Sequence, residues 1–495
     1  MKNVINKRKK EVLDKSICTY MISDQEMDIF KHHEKLFGGK YVLNYSDKLG
    51  VLISKKSDKE VCVIGYAIDS HGQIKKDEIP NYIMKELERN GGNIVDTYNY
   101  CNRLAGKYFI MIKYANKEYL FGDATCTLQV FYSFKNGFAV SCLEKIVADS
   151  LGLSFDDRNM RIRKASKISQ AMPNDITVYD SLYALLPNHY LDISQQKAVR
   201  VPCYGNIEKY EKYSENEILE MSYKRIKNIV KAYNQDMELM CPLTAGRDSR
   251  ACYGLLKQVE PYMQTYTFIH EGFTEKTPDY KIPLELNVQG HKFIKDMEMP
   301  KEEYEDLKNV VGEFIDKKDV IDNAYTFREA FGDATCINGD ILDQVGSASI
   351  FCGIPVSNLT PRYLTSKIHN KSPEAVELTK KWKKDISTGD YNYLADIYSI
   401  ESRLGRWGAQ WYTAFGLVGS DRVNFFNCRE VLMMWIAIPE LDRISRIVRE
   451  YLHKKTLTIS EQSVPYNGGF NIVNCLEKRP KLYYVASYLR YLIKD

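Results

Sequence analysis

An eight-residue segment, Leu-Thr-Ala-Gly-Arg-Asp-Ser-Arg at positions 243–250, carries the residue types best suited to chemistry. Apolar residues flank it on both sides, so the pattern predicts a strand, a tight turn and a helix. Such a turn directs backbone N–H groups and a helix N-terminus at one point, which suits a phosphate or pyrophosphate. The Thr244 and Ser249 hydroxyls add donors, and the Asp248 carboxylate can hold Mg²⁺ between phosphates. The alternative is an ordinary strand-to-helix turn in which Asp248 caps the helix.

The segments around this turn alternate between strand-like and helix-like patterns. Strands are predicted at 237–243, 265–269 and 291–294, and helices at 217–233, at 279–286 and from residue 248. This alternation predicts a doubly wound parallel sheet, whose ligands bind beyond the carboxyl ends of the strands. Later segments are mostly helical, at 375–384, 392–404, 430–438 and 441–453.

The first part of the chain is rich in strands instead. Strands are predicted at 61–68, 108–112, 118–121 and 129–133. Their hairpin-like succession indicates antiparallel sheets. The turn Pro-Cys-Tyr-Gly-Asn at 202–206 marks a boundary. We therefore predict one domain at 1–207 and a second at 208–495, each large enough for its own core.

The composition narrows the classes of partner. Sixty-nine basic and 65 acidic residues give a formal charge of +4, and the basic cluster at 7–10 is typical of a solvated tail, so we expect no nucleic-acid partner. Twelve cysteines without a Cys-x-x-Cys pair or zinc-ligand spacing are typical of reduced cytosolic thiols. The sequence shows no signal peptide and no 18-residue apolar stretch. We expect a cytoplasmic protein without a membrane partner, in which oligomerisation is an open possibility.

Two separated loops resemble those of one family. Residues 244–249, Thr-Ala-Gly-Arg-Asp-Ser, resemble the Ser-Gly-Gly-x-Asp-Ser pyrophosphate loop of the asparagine-synthetase-like ATP pyrophosphatases. Ala245 replaces the first glycine, which narrows the space if that position needs a positive φ. Residues 338–344, Asn-Gly-Asp-Ile-Leu-Asp-Gln, resemble the family's Gly-x-Gly-Gly-Asp-Glu loop, with apolar residues at glycine positions and glutamine for the glutamate. Further similar segments follow in the family's order at 104–109, 121–124, 130–132, 185–191 and 428–430.

The resemblance implies both a fold and a site. The fold is an α/β chain with an N-terminal Ntn-hydrolase-like antiparallel β-sandwich domain flanked by helices, and a C-terminal doubly wound ATP-pyrophosphatase domain with a helical C-terminal part. The cofactors are ATP and Mg²⁺, and Asp248 and Asp343 are the catalytic, metal-binding carboxylates. Arg250 is a candidate phosphate contact, or else a solvated or ion-paired arginine. The implied nucleotide-binding residues are Leu243, Thr244, Ala245, Gly246, Arg247, Ser249, Gly339 and Asp340.

One departure from the family changes the expected reaction. Its glutamine-hydrolysing members use an N-terminal cysteine, exposed when the first methionine is removed. Here residue 2 is Lys2 and the nearest cysteine is Cys18, and a lysine cannot replace the thiolate. We expect no glutaminase activity.

The resemblance then implies an ATP-dependent ligase that forms an amide. A small-molecule or peptide carboxylate is activated as an acyl-adenylate with release of pyrophosphate. An amine from another source then attacks it, and AMP leaves. The alternative is a degenerate member that acts as a binding or assembly partner.

Overall fold

The structure, a computed structural model, describes residues 2–166, 171–312, 318–351 and 354–464, with residues 479, 482, 485, 486 and 489. The predicted domains at 1–207 and 208–495 therefore reach beyond the described residues at both ends of the chain. None of the helices in the described ranges combines the length and apolar character needed to cross a membrane.

The strands fall into an early and a late group along the chain. The early strands are β1 Tyr20–Ser23, β2 His32–Leu36, β3 Tyr41–Tyr45, β4 Val51–Lys56, β5 Lys59–Asp69, β6 Leu104–Tyr114, β7 Lys117–Gly122, β8 Phe131–Ser133, β9 Ala139–Ser141, β10 Tyr183–Ala184, β11 His189–Asp192 and β12 Lys197–Arg200. The late strands are β13 Leu239–Pro242, β14 Gln264–Ile269, β15 Lys292–Lys295, β16 Thr335–Asn338 and β17 Asp421–Asn424.

Helices surround both groups of strands. Before β13 they are α1 Lys2–Lys15, α2 Ile79–Arg89, α3 Ile94–Tyr100, α4 Glu144–Leu151, α5 Asp157–Ala165, α6 Tyr204–Glu211 and α7 Glu215–Asp236. After β13 they are α8 Arg247–Lys257, α9 Pro278–Glu285, α10 Lys301–Val311, α11 Lys318–Phe331, α12 Pro361–Ser366, α13 Pro373–Lys384, α14 Leu394–Tyr398, α15 Ala409–Val418, α16 Arg429–Ile436, α17 Glu440–Ile444, α18 Ile447–Thr456 and α19 Ile459–Ser463.

The early strands form two antiparallel sheets that pack face to face. Their strand orders are β10-β8-β9-β1-β3-β2 and β12-β11-β7-β6-β5-β4. Side chains alternate along each strand: Val61 of β5 packs toward α2 and α3, whereas the next residue, Cys62, faces the core between the sheets. In that core the rings of Tyr20 and Phe109 lie 4.6 Å apart, which joins β1 to β6. The predicted antiparallel sheets are confirmed.

The late strands form a parallel sheet in the order β15-β14-β13-β16-β17. From β13 the chain moves outward to β14 and β15, and then crosses to the other side of β13 to add β16 and β17. The order therefore reverses between β13 and β16. In a doubly wound sheet this switch point, at the carboxyl ends of the strands, is where a crevice for ligands opens. The predicted parallel sheet is confirmed.

Two late helices that were predicted as continuous are interrupted in the structure. The predicted helix 392–404 is instead α14 followed by a π-helical segment, Ser399–Gly408, that leads into α15. The predicted helix 441–453 is broken into α17 and α18 at Arg446, whose φ of 76° interrupts the helix. The periodic apolar pattern continues through both breaks, so the sequence gives no sign of either one.

A buried polar cluster joins the two sheet systems. The Asn427 amide, just before α16, donates to the Gly106 carbonyl at 2.6 Å and to the Asp123 carboxylate at 2.9 Å, and accepts from the Thr125 hydroxyl at 2.9 Å. Arg429, the first residue of α16, donates to the Asp123 carbonyl at 3.2 Å. Two segments that resemble family motifs, 121–124 and 428–430, therefore contact each other.

The first helix packs against the second half of the chain. Helix α1 contacts α10 and α15. Directly after it, the Ile17 N–H donates to the Gly416 carbonyl at 2.9 Å, and a Cβ at Gly416 would lie 2.0 Å from the Cys18 sulfur. The chain then enters β1 and the antiparallel sheets.

Candidate functional site

The first candidate loop leaves β13 at the switch point and enters α8. Leu243 lies in the core: its N–H donates to the Tyr266 carbonyl at 2.8 Å, and its own carbonyl accepts from the Thr267 hydroxyl. The resemblance implied that Leu243 contacts the nucleotide. Its side chain is instead buried in the core, and its backbone groups are hydrogen-bonded to residues of β14, so its role is structural.

Hydrogen bonds within the loop hold it in a defined shape. The Thr244 and Ser249 hydroxyls share a hydrogen bond of 2.9 Å, and the Gly246 N–H donates to Thr244 Oγ1 at 3.1 Å. The Ala245 N–H donates to Asp279 Oδ1 at 2.7 Å. Two of the N–H groups predicted to cradle phosphate are thus bonded within the protein, and an incoming phosphate must compete with these acceptors.

The alanine in the family's glycine position is accommodated without strain. The φ of Ala245 is not positive, and its side chain is fully buried. Gly246 has a φ of −70°, which other residues also adopt, but a Cβ there would lie 3.1 Å from Thr244 Oγ1. Glycine is therefore favoured at position 246 because the Thr244 hydroxyl leaves little room for a side chain, and not because the backbone conformation requires glycine.

The second candidate loop leaves β16 and reaches the same place. A Cβ at Gly339 would lie 3.1 Å from the Asp248 Cβ, so a glycine lets the two loops approach each other. Asp340 accepts from Asn424 Nδ2 at 2.8 Å and from the Tyr412 hydroxyl at 3.2 Å, and burial raises its pKa. The apolar residues at the next two positions, Ile341 and Leu342, lie in the core. Asp343 follows in a short π-helical segment, Leu342–Gly346.

An arginine bridges the two candidate metal-binding carboxylates. Arg449 of α18 donates from Nε to Asp248 Oδ1 at 2.6 Å and from Nη2 to Asp248 Oδ2 at 3.0 Å. The same Nη2 donates to Asp343 Oδ1 at 2.6 Å. Burial raises the pKa of Asp248, Arg449 opposes that rise, and the neighbouring Asp343 adds to it. The two carboxylates thus share one guanidinium.

The contacts of Arg449 affect how Mg²⁺ could bind at this site. Carboxylate oxygens suit Mg²⁺, which usually takes one or two of them with phosphate and water oxygens. Asp248 and Asp343 have this chemistry, but an ion between them must replace the Arg449 guanidinium, which donates to both. Within the described residues, no group of three or more His, Cys, Asp or Glu side chains is arranged to hold a metal.

Neither of the two arginines in the segment 243–250, Arg247 and Arg250, lines the cavity beside the two loops. The Arg250 side chain is fully buried and donates to the Val464 carbonyl at 2.7 Å, so its prediction as a phosphate contact is wrong. Arg247 begins α8, and its carbonyl accepts from His453 at 3.0 Å. Arg247 does not line the neighbouring cavity, which gives its implied nucleotide contact no support.

A cavity of about 540 Å³ opens beside these loops. Six implied site residues line it: Thr244, Asp248, Ser249, Gly339, Asp340 and Asp343. Leu243, Ala245, Gly246 and Arg247 do not. The lining also includes four aromatic rings and one arginine, namely Tyr266, Phe268, Trp411, Phe415 and Arg422. A cavity of this size, with apolar walls and a few polar groups, is typical of small-molecule sites.

Sequence reasoning missed three contributors to this site. Arg449 belongs to the late helix α18, where Lys455, near the end of the helix, pairs with Glu220 at 2.8 Å on the surface instead. Arg422 and Trp411 reach the cavity from β17 and α15. The available signal was weak: Arg422 lies just before the apolar residues Val423, Phe425 and Phe426, where a charged side chain needs a partner or a cavity.

The Cys18 thiol lies away from this cavity. It is buried, and desolvation raises its pKa, which disfavours the thiolate that a nucleophile requires. Helix α1 precedes it, and Gly416 packs against its sulfur.

Comparison with known proteins gives little further guidance. Neither a protein-family model nor a curated protein matches the sequence. One similar solved structure is titled as the structure of the allosteric regulatory enzyme of purine biosynthesis. The match has 8% identity and a TM-score of 0.21, and it covers 56% of this chain and 64% of that one, less than two thirds of its length. A similarity this low carries no argument about fold or function.

Proposed function

We propose that this protein is an ATP-dependent, amide-forming ligase of the asparagine synthetase type. The observation that carries the proposal is the convergence of Asp248 and Asp343 at the switch point of a parallel sheet. The two carboxylates come from separate loops, and both line a 540 Å³ cavity that also contains the Thr244 and Ser249 hydroxyls. Ligands of doubly wound sheets bind at this place.

The proposed reaction has two steps. A carboxylate oxygen of the substrate attacks the α-phosphorus of ATP, and the bond from that phosphorus to the pyrophosphate oxygen breaks. The nitrogen of an amine then attacks the acyl carbon of the adenylate, AMP leaves, and the nitrogen loses a proton. Negative charge grows on the departing pyrophosphate, so fixed donors close to it lower the barrier.

The residues of the two loops have distinct parts in this proposal. The Thr244 and Ser249 hydroxyls and the N-terminus of α8 orient the pyrophosphate. Asp248 and Asp343 would hold Mg²⁺, which supplies positive charge between the phosphates. Arg449 must then leave at least one carboxylate and become available to a phosphate oxygen. We propose a small-molecule or peptide carboxylate and an amine as substrates, with the amine drawn from a source other than a glutaminase site of this chain.

One observation favours a second candidate function. The Arg449 guanidinium already neutralises Asp248 and Asp343, and the Ala245 and Gly246 N–H groups already have acceptors. A site whose charges and donors are satisfied internally suits a protein that has lost chemistry. The second candidate is therefore a binding or assembly partner that retains the architecture.

Pyrophosphate release distinguishes the two functions. We expect the purified chain to release pyrophosphate from Mg·ATP when a panel of carboxylic acids and amines contains its substrates. D248N and D343N should abolish that release, whereas D58N, at an exposed turn between β4 and β5, should not. Thermal shift with Mg·ATP on the same samples reports nucleotide binding. No release together with no shift would reject the ligase and leave the binding partner.

A further inference from the structure

One arginine in the cavity has aromatic neighbours but no carboxylate within hydrogen-bonding distance. The Arg422 guanidinium lies 5.0 Å from the ring centroid of Phe415, 5.3 Å from that of Trp411 and 5.7 Å from that of Tyr412. These rings hold a guanidinium by cation–π attraction and shield it from bulk water. Arg422 therefore has a fixed position in the cavity wall.

The surrounding protein leaves the hydrogen-bonding capacity of this guanidinium unused. Across the described residues, the Arg422 guanidinium has no hydrogen-bond acceptor and no ion-pair partner, and its Nε is buried. The nearby carboxylate, Asp340, accepts from Asn424 and Tyr412 instead, and Arg422 acts on it only through the attraction of their charges, which opposes the rise in the pKa of Asp340. Buried donors without acceptors are unfavourable, so an anion that enters the cavity and accepts from them gains binding energy there.

Other arginines near the site show the opposite arrangement. Arg449 is shared by two carboxylates, and Arg443 donates to both oxygens of Asp396 at 2.8 Å. Their donors are engaged by the protein itself. Arg422 differs because its free donors face a volume that can admit a ligand.

We propose that Arg422 binds an oxyanion of the substrate that does not react, so that the substrate is a small acid with a second acidic group. This inference rests on the proposed function, because it assigns the substrate class of the same cavity. The guanidinium fork matches the two oxygens of a carboxylate or phosphate group. Strands β13, β16 and β17 are consecutive in the sheet and Arg422 is in register with Met240, so at about 4.8 Å per strand its backbone lies roughly 10 Å across the sheet from the strand that leads into the first loop.

Direct binding without ATP tests this inference separately from the ligase reaction. The probes are glutarate, butyrate and inorganic phosphate, titrated calorimetrically into the full chain. Glutarate and butyrate differ in the second carboxylate, and phosphate tests whether the oxyanion belongs to a phosphate group. We expect glutarate or phosphate to bind, with butyrate at least tenfold weaker.

Variants at Arg422 identify the residue responsible. R422M should weaken the binding anion at least tenfold, and R422K should fall between R422M and the wild type because it keeps the charge without the fork. R89Q, at an exposed arginine paired with Glu86, is the matched control and should bind normally. R422M also removes the attraction between Arg422 and the buried Asp340 carboxylate, so its melting temperature is measured alongside binding. If R422M melts lower than the wild type, R422K, which keeps the charge, is the variant that tests the inference.

The possible results separate the two hypotheses. Anion binding that depends on Arg422 supports the inference even when no pyrophosphate is released, in which case the ligase proposal alone fails. Equal binding of glutarate by the wild type, R422K and R422M would overturn the inference. Binding of neither glutarate nor phosphate would overturn it as well.

Discussion

The Arg449 guanidinium makes a two-point contact with the Asp248 carboxylate, at 2.6 and 3.0 Å. Arg449 belongs to α18, whereas Asp248 lies in the first turn of α8, so this pair joins the last helices of the chain to the loop at the switch point. The same guanidinium contacts Asp343, which makes it a positive charge supplied by the protein between two carboxylates. A cation that binds between Asp248 and Asp343 must first displace the Arg449 guanidinium from them.

Removal of this arginine should make the protein respond to magnesium. R449A leaves Asp248 and Asp343 without their common partner, and we expect a loss on the order of 3 kcal/mol in the free energy of unfolding without divalent ions. Added Mg²⁺ should recover part of the loss, and the wild type should respond less. Urea denaturation with and without Mg²⁺ measures both effects.

A second arginine pair provides the control for that experiment. Arg103 donates to the two Asp69 oxygens at 2.7 and 2.9 Å, and Asp69 is the only carboxylate among the described residues that accepts a hydrogen bond from it. R103A should lose stability without recovery by Mg²⁺. An equal response of R449A and R103A to the ion would contradict the view that Asp248 and Asp343 form a cation site.

Helices α8 and α18 should not tolerate a methyl group between them. A Cβ at Gly254 would lie 2.2 Å from Thr456 Oγ1 and 2.9 Å from Thr456 Cβ. G254A should therefore lower the free energy of unfolding by about 1–3 kcal/mol, as overpacking does. G205A in α6 is the matched control: a Cβ there meets open space, and alanine should be neutral or gain up to about 1 kcal/mol. Chemical denaturation of both variants decides the point.

The contact between the two sheet systems should depend on Asn427. N427A leaves the Asp123 carboxylate, the Gly106 carbonyl and the Thr125 hydroxyl short of a buried partner, at a cost of about 2–3 kcal/mol. Asn228 crosses between the same halves with a single hydrogen bond, to the Ser70 carbonyl at 2.9 Å, so N228A should cost about 1 kcal/mol. Similar losses in the two variants would argue against a special role for the Asn427 cluster.

Stability should fall below pH 6.5, partly because of His453. Burial is the largest cause of a pKa lowered from 6.5 to about 4; the hydrogen bond to the Arg247 carbonyl opposes this shift, and the nearby Arg250 guanidinium contributes to it. Below pH 6.5 the unfolded chain binds a proton that the folded chain refuses, so the histidine costs up to about 3 kcal/mol of stability by pH 4.

H453Q removes this titration while keeping a side-chain N–H that can reach the Arg247 carbonyl. Between pH 6.5 and 4 its free energy of unfolding should fall less steeply than that of the wild type, and above pH 7 the two should differ little. Denaturant titrations at a series of pH values compare the slopes. Parallel curves would show that His453 titrates alike in the folded and unfolded states.

Local patterns predicted the types of sheet and the first candidate loop, whereas the second loop was found only through the family resemblance. Thr244, Asp248 and Ser249 follow the predicted strand β13. Gly339, Asp340 and Asp343 follow β16, a strand that the sequence analysis did not predict and that pairs in parallel with β13, which brings the two loops to one edge. Because the placement of the first loop at this edge needs only strand direction and sequence order, it tolerates errors of a residue or two at the element boundaries.

The missed features depend on contacts between distant segments. Arg449 meets Asp248 only because α18 packs on α8, and nothing near either residue in sequence indicates that packing. The left-handed Arg446 breaks a helix whose apolar periodicity continues across the break. The internal bonds of the Ala245 and Gly246 N–H groups likewise require the positions of Asp279 and Thr244 to be known.

The packing of α1 against α10 and α15 imposes an order on folding during synthesis. The ribosome releases α1 before α15, so Ile17 and Cys18 meet their native neighbour, Gly416, only after the residues between them have been synthesised. Until then, α1 and the residues that lead into β1 lack these contacts. Closure of this long-range contact belongs to the late stages of folding, where the entropic cost of joining distant segments is met last.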